Sequence, residues 1–389
     1  MSKHIDRNAA WEGSARGGAR SAGRRRRTFW RAALASGIGA AGLVTAALPA
    51  SVALAAPPSF PAAASEVQVP GSTLGLVLEG VTCLSGGDCT AVGASVGAPG
   101  ASDRSLPVVA AQAAHGWAAS TVPLPHEAGS GPAGGLASVS CVVRGACYAV
   151  GEYADASSIL PLVESDAADG LWQPLAEPPL PSSSASSAPL DGVSCTPDGA
   201  CLAVGSITTS SRTQAMAGFL TGSAARAGLQ LVPAPAGAAS GNPNAVLTSV
   251  SCVARSCVAV GYYTDAAGTT VPMAVSESNG RFGKAEELAY PPNGGGDLFA
   301  VSCAAAGACT AVGYALTAAG GRKEPLYLVD AGGTWQGAQS LPLPSTAGRD
   351  AAGTLEGISC AASGTCVIVG SYGTDKQQLA MYAEEDGGS

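Results

Sequence analysis

Three carboxylates occupy one place in a recurring pattern. Glu79, Asp191 and Glu356 each follow a leucine, precede a glycine and stand four residues before a cysteine. Carboxylates brought to equal height by a repeat can ring a hard cation, and calcium takes such oxygens. Calcium at these three residues is therefore the one cofactor the sequence suggests. A second set pairs an aromatic with an acid: Tyr153-x-Asp155, Tyr263-x-Asp265, and Tyr372 with Asp375. Such pairs suit a sugar or a cation. Other chemistry is thinly provided. Beyond the N-terminal region the only histidines are His115 and His126, and both read as solvated turn residues rather than members of a nucleophilic triad. The eight arginines from Arg104 onward show no converging trio. No glycine-rich phosphate loop lies between a strand and a helix.

Positioning these groups falls to six copies of one frame. All 12 cysteines fall in pairs: Cys83/Cys89, Cys141/Cys147, Cys195/Cys201, Cys252/Cys257, Cys303/Cys309 and Cys360/Cys366. Each pair sits in Leu-x-x-Val-Ser-Cys, a short loop, then Cys-x-Ala-Val-Gly, with small variations. A near-constant period of 51 to 58 residues means a repeat architecture. A metal site would want closer spacing and more histidines. Disulfides across six hairpins, each crossing near the turn, fit better and contribute about 2 kcal/mol apiece in the chain-entropy model. The rest of each repeat supplies two more strands. An apolar run such as Pro325-Leu326-Tyr327-Leu328 is followed by a glycine turn ending on an aromatic (Trp117, Trp172, Trp335), which reads as packing. A proline-flanked run such as Val122-Pro123-Leu124-Pro125 then suits an outermost strand, since proline cannot donate to a ladder.

Four-stranded sheets repeated radially make an all-β, six-bladed β-propeller. The repeats run approximately 74–130, 131–186, 187–243, 244–294, 295–350 and 351–389. The last stops one strand short, while Glu66-Val67-Gln68-Val69-Pro70 is a spare strand before the first. It is expected to pair with the last blade and close the ring, removing two open edges. Two stacked three-repeat units are the other arrangement, but they leave the displaced strand unexplained. In this reading the acids at 79, 191 and 356 approach the channel mouth, and the tyrosine–aspartate pairs lie in the loops between second and third strands of that face.

Composition bounds the function. Residues 56–389 carry 11 Lys and Arg against 26 Asp and Glu, an excess of 15 negative charges. That argues against nucleic acid, whose phosphates are bound by cationic side chains. Residues 1–55 are basic instead. Arg26-Arg27-Thr28-Phe29-Trp30-Arg31 resembles the twin-arginine export signal, and its key positions are Arg26, Arg27 and Phe29. An uncharged Ala- and Gly-rich stretch follows, and Ala53-Leu54-Ala55 suits signal peptidase, so cleavage is expected after Ala55. Residues 56–65 then form a linker and 66–389 the propeller. The partners implied are the twin-arginine export machinery in transit, and the membrane only if the signal stays uncleaved. The protein is expected to be secreted, and an oxidising compartment agrees with disulfides.

The Val-Ser-Cys and Cys-x-Ala-Val-Gly frame resembles repeats in exported actinobacterial proteins. Asp330-Ala331-Gly332-Gly333-Thr334-Trp335 is similar to the Asp-box turn of sialidase-like propellers, departing from it at Leu328. The resemblance implies a propeller and not sialidase activity. The expected function is a non-enzymatic binding or scaffold module for a protein or glycan. The alternative is a propeller glycoside hydrolase or polysaccharide lyase.

Overall fold

A computed structural model describes Val67 and residues 75–384, apart from 85–87, 97–104, 114–115, 129–132, 144, 167–169, 221–227, 292–293, 318–320, 349 and 375–376. The chain divides into two units, Met1–Ala62 and Ala63–Ser389, and the described residues all belong to the second. The signal positions Arg26, Arg27 and Phe29 lie outside the described residues, as does Asp375. The described part is all-β, with one 3-10 turn at His126–Ala128. Among the described residues no helix is long and apolar enough to cross a membrane.

Each repeat forms an antiparallel meander in chain order. The first is β1 (Gly75–Cys83), β2 (Cys89–Val96), β3 (Pro107–Ala113) and β4 (Gly116–Thr121). The second is β5 (Ala133–Val143), β6 (Ala146–Ala154), β7 (Ile159–Asp166) and β8 (Trp172–Pro174). A short β9 (Ala185–Ser187) bridges β7 to the third repeat, which comprises β10 (Leu190–Cys195), β11 (Cys201–Thr209), β12 (Arg212–Leu220) and β13 (Gln230–Leu231). The fourth is β14 (Val246–Val253), β15 (Ser256–Thr264) and β16 (Thr270–Ser278), edged by β17 (Arg281–Phe282) and β18 (Glu286–Glu287). The fifth is β19 (Gly296–Ala305), β20 (Ala308–Leu316), β21 (Lys323–Ala331) and β22 (Gln339–Ser340). The sixth has three strands, β23 (Gly353–Cys360), β24 (Cys366–Gly373) and β25 (Gln378–Glu384).

All six cysteine pairs are disulfides, with Cα atoms 3.9–4.0 Å apart. Their partners stand directly opposite in the first hairpin of each repeat. The bridges are more than staples at a turn, which is all the spacing suggested. Cys147, Cys201, Cys257, Cys309 and Cys366 are buried, none more than 3% exposed, so the second sulfur of these five pairs is a core atom. Cys201, Cys257 and Cys309 each join one of the large apolar clusters. The reason is register. The second strand begins at this cysteine or one residue before it, so the side chain already stands on a packed sheet face.

The glycine ending Cys-x-Ala-Val-Gly has a steric cause. In every repeat the first strand bulges just where that glycine faces it. A Cβ on Gly93, Gly151, Gly205, Gly261, Gly313 or Gly370 would stand 1.9–2.2 Å from a backbone carbonyl oxygen of the first strand or the residue before it. Only a hydrogen fits there.

The serine of Val-Ser-Cys joins one repeat to the next. The Cys195, Cys252, Cys303 and Cys360 amides donate to Ser140, Ser194, Ser251 and Ser302 Oγ of the preceding repeat at 2.9–3.0 Å. First strands thus lie side by side. Their apolar positions follow. Val92 packs with Leu136 and Val139, Val150 with Leu190 and Val193, Val204 with Leu247 and Val250. Val260 packs with Leu298 and Val301, and Val312 with Leu355 and Ile358. Each buried Val or Leu contributes about 1.5–3 kcal/mol.

At the two ends this pairing is not completed among the described residues. Leu78 and Val81 of the first repeat are 38% and 63% exposed, and Val369 of the last is 49% exposed. Val67 packs on the first repeat, against Ala91, Val108, Ala110 and Ala119. The equivalent face of the second repeat receives Val122 from the repeat before it. The rest of the expected closing strand 66–70 lies outside the described residues.

One core position departs from the pattern. Glu164 faces Ala149, where the fourth and fifth repeats place Val275 and Leu328. It is fully buried, and neither carboxylate oxygen has a hydrogen-bond partner. Burial pushes its carboxyl up to about 8.

Two expectations follow. Gly261→Ala should lower stability by roughly 2–4 kcal/mol, because the bulge must open, while Gly241→Ala, which meets open space, should be neutral in the same chemical denaturation. Glu164→Leu should stabilise the protein, and more so at pH 8 than at pH 4. The folded state holds the acid form, so its stability is retained below the ordinary carboxyl pKa and lost as pH rises towards 8. Melting curves across that range would show the gain shrink at low pH.

Candidate functional site

Six bulges place Glu79, Ala137, Asp191, Thr248, Phe299 and Glu356 at equivalent positions. Three of them are the acids expected to ring a calcium ion. Among the described residues, no three His, Cys, Asp or Glu side chains come together as a metal site. Glu356 instead turns along its own sheet, accepting from Thr354 Oγ1 and Ser371 Oγ at 3.0 Å each.

The tyrosine–aspartate pairs take a different form from the one expected. Tyr153, Tyr263 and Tyr372 are 1%, 0% and 5% exposed, so their rings are core rather than surface platforms. They fall on the face of the second strand that meets the preceding repeat. Asp155 and Asp265 shape their own turns. Asp155 Oδ1 accepts from the Ser157 and Ser158 amides at 2.6 Å each and from Ser157 Oγ at 3.2 Å. Asp265 Oδ1 accepts from the Ala267 and Thr269 amides at 2.9 and 2.7 Å.

Only the tyrosine hydroxyls reach polar groups, and there the repeats diverge. Tyr153 donates to Glu177 Oε2 at 3.3 Å, Tyr263 to Glu287 Oε2 at 2.6 Å, and the Tyr372 hydroxyl pairs with Thr346 Oγ1 at 2.7 Å. A turn closed by an alanine amide on a proline carbonyl stands beside each: Pro125 to Ala128, Pro235 to Ala238, Pro344 to Ala347. Its third residue is Glu127, Gly237 or Thr346 respectively. In the fourth repeat a side chain at Gly237 would meet both Glu287 and the Tyr263 hydroxyl, so that turn closes over a strut. In the second repeat Glu127 occupies the place, and a depression opens beside Glu177, lined by Ser158, Leu160, Leu180, Ser182 and Ser183.

The carboxylates of this cluster are pushed apart. Burial, then the charges of Glu127 and Asp155, raise the Glu177 carboxyl, while the Tyr153 hydrogen bond opposes them. Backbone amides of Ser157 and Ser158 hold Asp155 below its ordinary range. Burial, with Glu177 second, raises the Tyr153 hydroxyl, so it stays a donor. A carboxyl shifted up and another shifted down near the same tyrosine are the makings of acid–base chemistry. Glu127 and Glu177 escaped the sequence reading. The signals present were the repeated Pro-x-x-Ala turn and the shared spacing of Tyr153 to Glu177 and Tyr263 to Glu287.

No protein family matches the chain, and no curated protein does. Solved structures do. A polysaccharide lyase of family PL25, an ulvan lyase solved with and without a bound saccharide, superposes with a TM-score of 0.52 at 11% identity, covering 79% of this chain and 80% of that one. The haemagglutinin-neuraminidase ectodomain of parainfluenza virus 5 gives 0.43 at 10% identity over 82% and 85%. An endo-arabinase from Bacteroides thetaiotaomicron gives 0.36 at 14% over 77% and 89%. The lyase likeness shows a shared propeller-like fold. It also corrects the expected function: a fold held in common with a polysaccharide lyase favours the enzyme alternative over a non-enzymatic binding or scaffold module.

The cluster makes a titration forecast. Tyr153→Phe should raise the Glu177 carboxyl further, since it removes the donor that favours the charged form, and Glu127→Gln should lower it. Carboxyl-carbon NMR titration reads both directions, and shifts of the opposite sign would show that these groups do not share one field.

Proposed function

We propose that the chain is an exported glycoside hydrolase working at the Tyr153, Asp155, Glu127 and Glu177 cluster. The observation that carries the reading is the pair of acids with opposed protonation tendencies, set beside a serine-lined depression. In this reading Glu177, whose carboxyl burial shifts towards the acid form, gives its proton to the glycosidic oxygen as the leaving group departs. Asp155, kept ionised by its turn amides, acts on the sugar as base or nucleophile. Tyr153 orients Glu177, and Glu127 raises its carboxyl. The acidic body favours neutral glycans over polyanions. A second reading, polysaccharide lyase, is supported by the likeness to ulvan lyase.

The scaffold we propose is a six-bladed propeller with four-stranded blades. Residues 66–70 would supply the missing fourth strand of the last blade. Val67 supports this, because it lies on the first repeat where Val122 lies on the second. Residues 1–55 would be the cleaved twin-arginine signal and 56–65 a linker. Six disulfides support an oxidising, extracytoplasmic setting.

Incubating the secreted protein with neutral and uronate polysaccharides tests the chemistry. Reducing ends should appear without ultraviolet-absorbing unsaturated ends, and Glu177→Gln should lower the rate by about 100-fold or more. Unsaturated ends would mean the lyase reading is right. No product from any polymer would sink the enzyme reading.

A further inference from the structure

The repeats supply an internal control, because a side chain that the fold requires must recur. At the bulge the residues are Glu79, Ala137, Asp191, Thr248, Phe299 and Glu356. Just after the close-packed glycine they are Ala94, Glu152, Ser206, Tyr262, Tyr314 and Ser371. Five repeats form the same bulge without an aromatic at it, and four lack one after the glycine. Packing therefore does not require Phe299 and Tyr314.

Both rings are half-buried, and they touch, with centroids 5.6 Å apart at an interplanar angle of 46°. Lys323 Nζ stands 4.3 Å over the Tyr314 ring. Burial, with Asp297 second, pushes the Tyr314 hydroxyl up to about 12, so it remains a donor at neutral pH. The sixth repeat packs against β19, β20 and β21 through β23. A bulge residue can reach the following repeat directly, as Thr248 Oγ1 does in donating to Leu298 O at 2.6 Å. The sixth repeat's own bulge carries the exposed Glu356. Ser371 links it to Gln378, whose Nε2 donates to Ser371 Oγ at 2.8 Å. The fifth repeat thus carries an aromatic pair with an ammonium, and the sixth, packed against it, carries a carboxylate and an amide at its own bulge.

We propose that this stretch, spanning the fifth and sixth repeats, is a glycan-binding subsite for a hexopyranose unit. The C–H face of the sugar stacks on Phe299 and Tyr314, where an apolar ring face meets π-electron density. Its hydroxyls bond to Glu356, Gln378 and Lys323. The proposal deepens the glycan-directed reading but does not depend on catalysis at Tyr153, which lies in the second repeat.

Calorimetric titration of the full secreted chain carrying Glu177→Gln tests it, with β-1,4-linked oligosaccharides of glucose, mannose and galactose as probes. At least one should bind. Phe299→Thr and Tyr314→Ser import residues that other repeats carry at these places, so the fold should hold, with a single cooperative melting transition at a somewhat lower temperature. Together they should weaken binding by about tenfold or more. Unchanged affinity in the double variant, or no binding of any probe to the parent, overturns the subsite. Binding lost in the double variant while the unsubstituted chain shows no turnover keeps the subsite and removes only the hydrolase reading.

Discussion

In each repeat a glycine meets a carbonyl at a distance that no other residue allows. The second strand passes so near the first that a Cβ would stand about 2 Å from a backbone oxygen. The first strand yields by bulging, and the bulge turns one residue out of the alternating pattern. The bulge residues and those after the glycine form a rim whose residue types vary from repeat to repeat. Below the bulge, alternation resumes in register, which sends Leu and Val into the neighbouring sheet. A single steric constraint thus separates a variable rim from a constant core.

The core is repeated by a second device. The serine before each first cysteine accepts an amide hydrogen from the next repeat, locking adjacent first strands at one height. The disulfide beside it ties the hairpin that presents the serine, and in five repeats its second sulfur is itself buried in the core. The hydrogen bond alone is weak, contributing about 1 kcal/mol net. Its value is registry, which lets each Val of one sheet meet the Leu and Val of the next.

The repeats diverge where the frame is kept and its lining changes. Three repeats bury a tyrosine against the preceding repeat and leave its hydroxyl to find a partner. The fourth repeat closes the arrangement with Gly237 and a short bond to Glu287. The sixth uses a threonine hydroxyl. The second sets two glutamates and an ionised aspartate around the same phenol, and the surface opens beside them. A structural strut and the cluster proposed as reactive therefore differ by only a few side chains on equivalent backbone.

The cysteine pairing, the hairpins and the repeat count were legible in the sequence, because each depends on residues within one short loop or on periodicity. That Cys147, Cys257 and Cys309 would be core atoms was not legible, since it depends on which sheet covers them. The bulge glycine was visible as a recurring letter, though its cause was not. Whether Tyr153 faces a ligand or the core depends on which face of its strand meets the previous sheet. That is decided by inter-repeat packing, which no local pattern encodes. The acids at 79, 191 and 356 share a position in the repeat, but that position did not reveal that Glu356 would bond to Thr354 and Ser371 of its own sheet. Glu127 and Glu177 reach Tyr153 from opposite sides along the chain. Local spacing sets strands and staples; only the docking of one sheet on another decides which charged groups share a field, because electrostatics acts through space and not along the sequence.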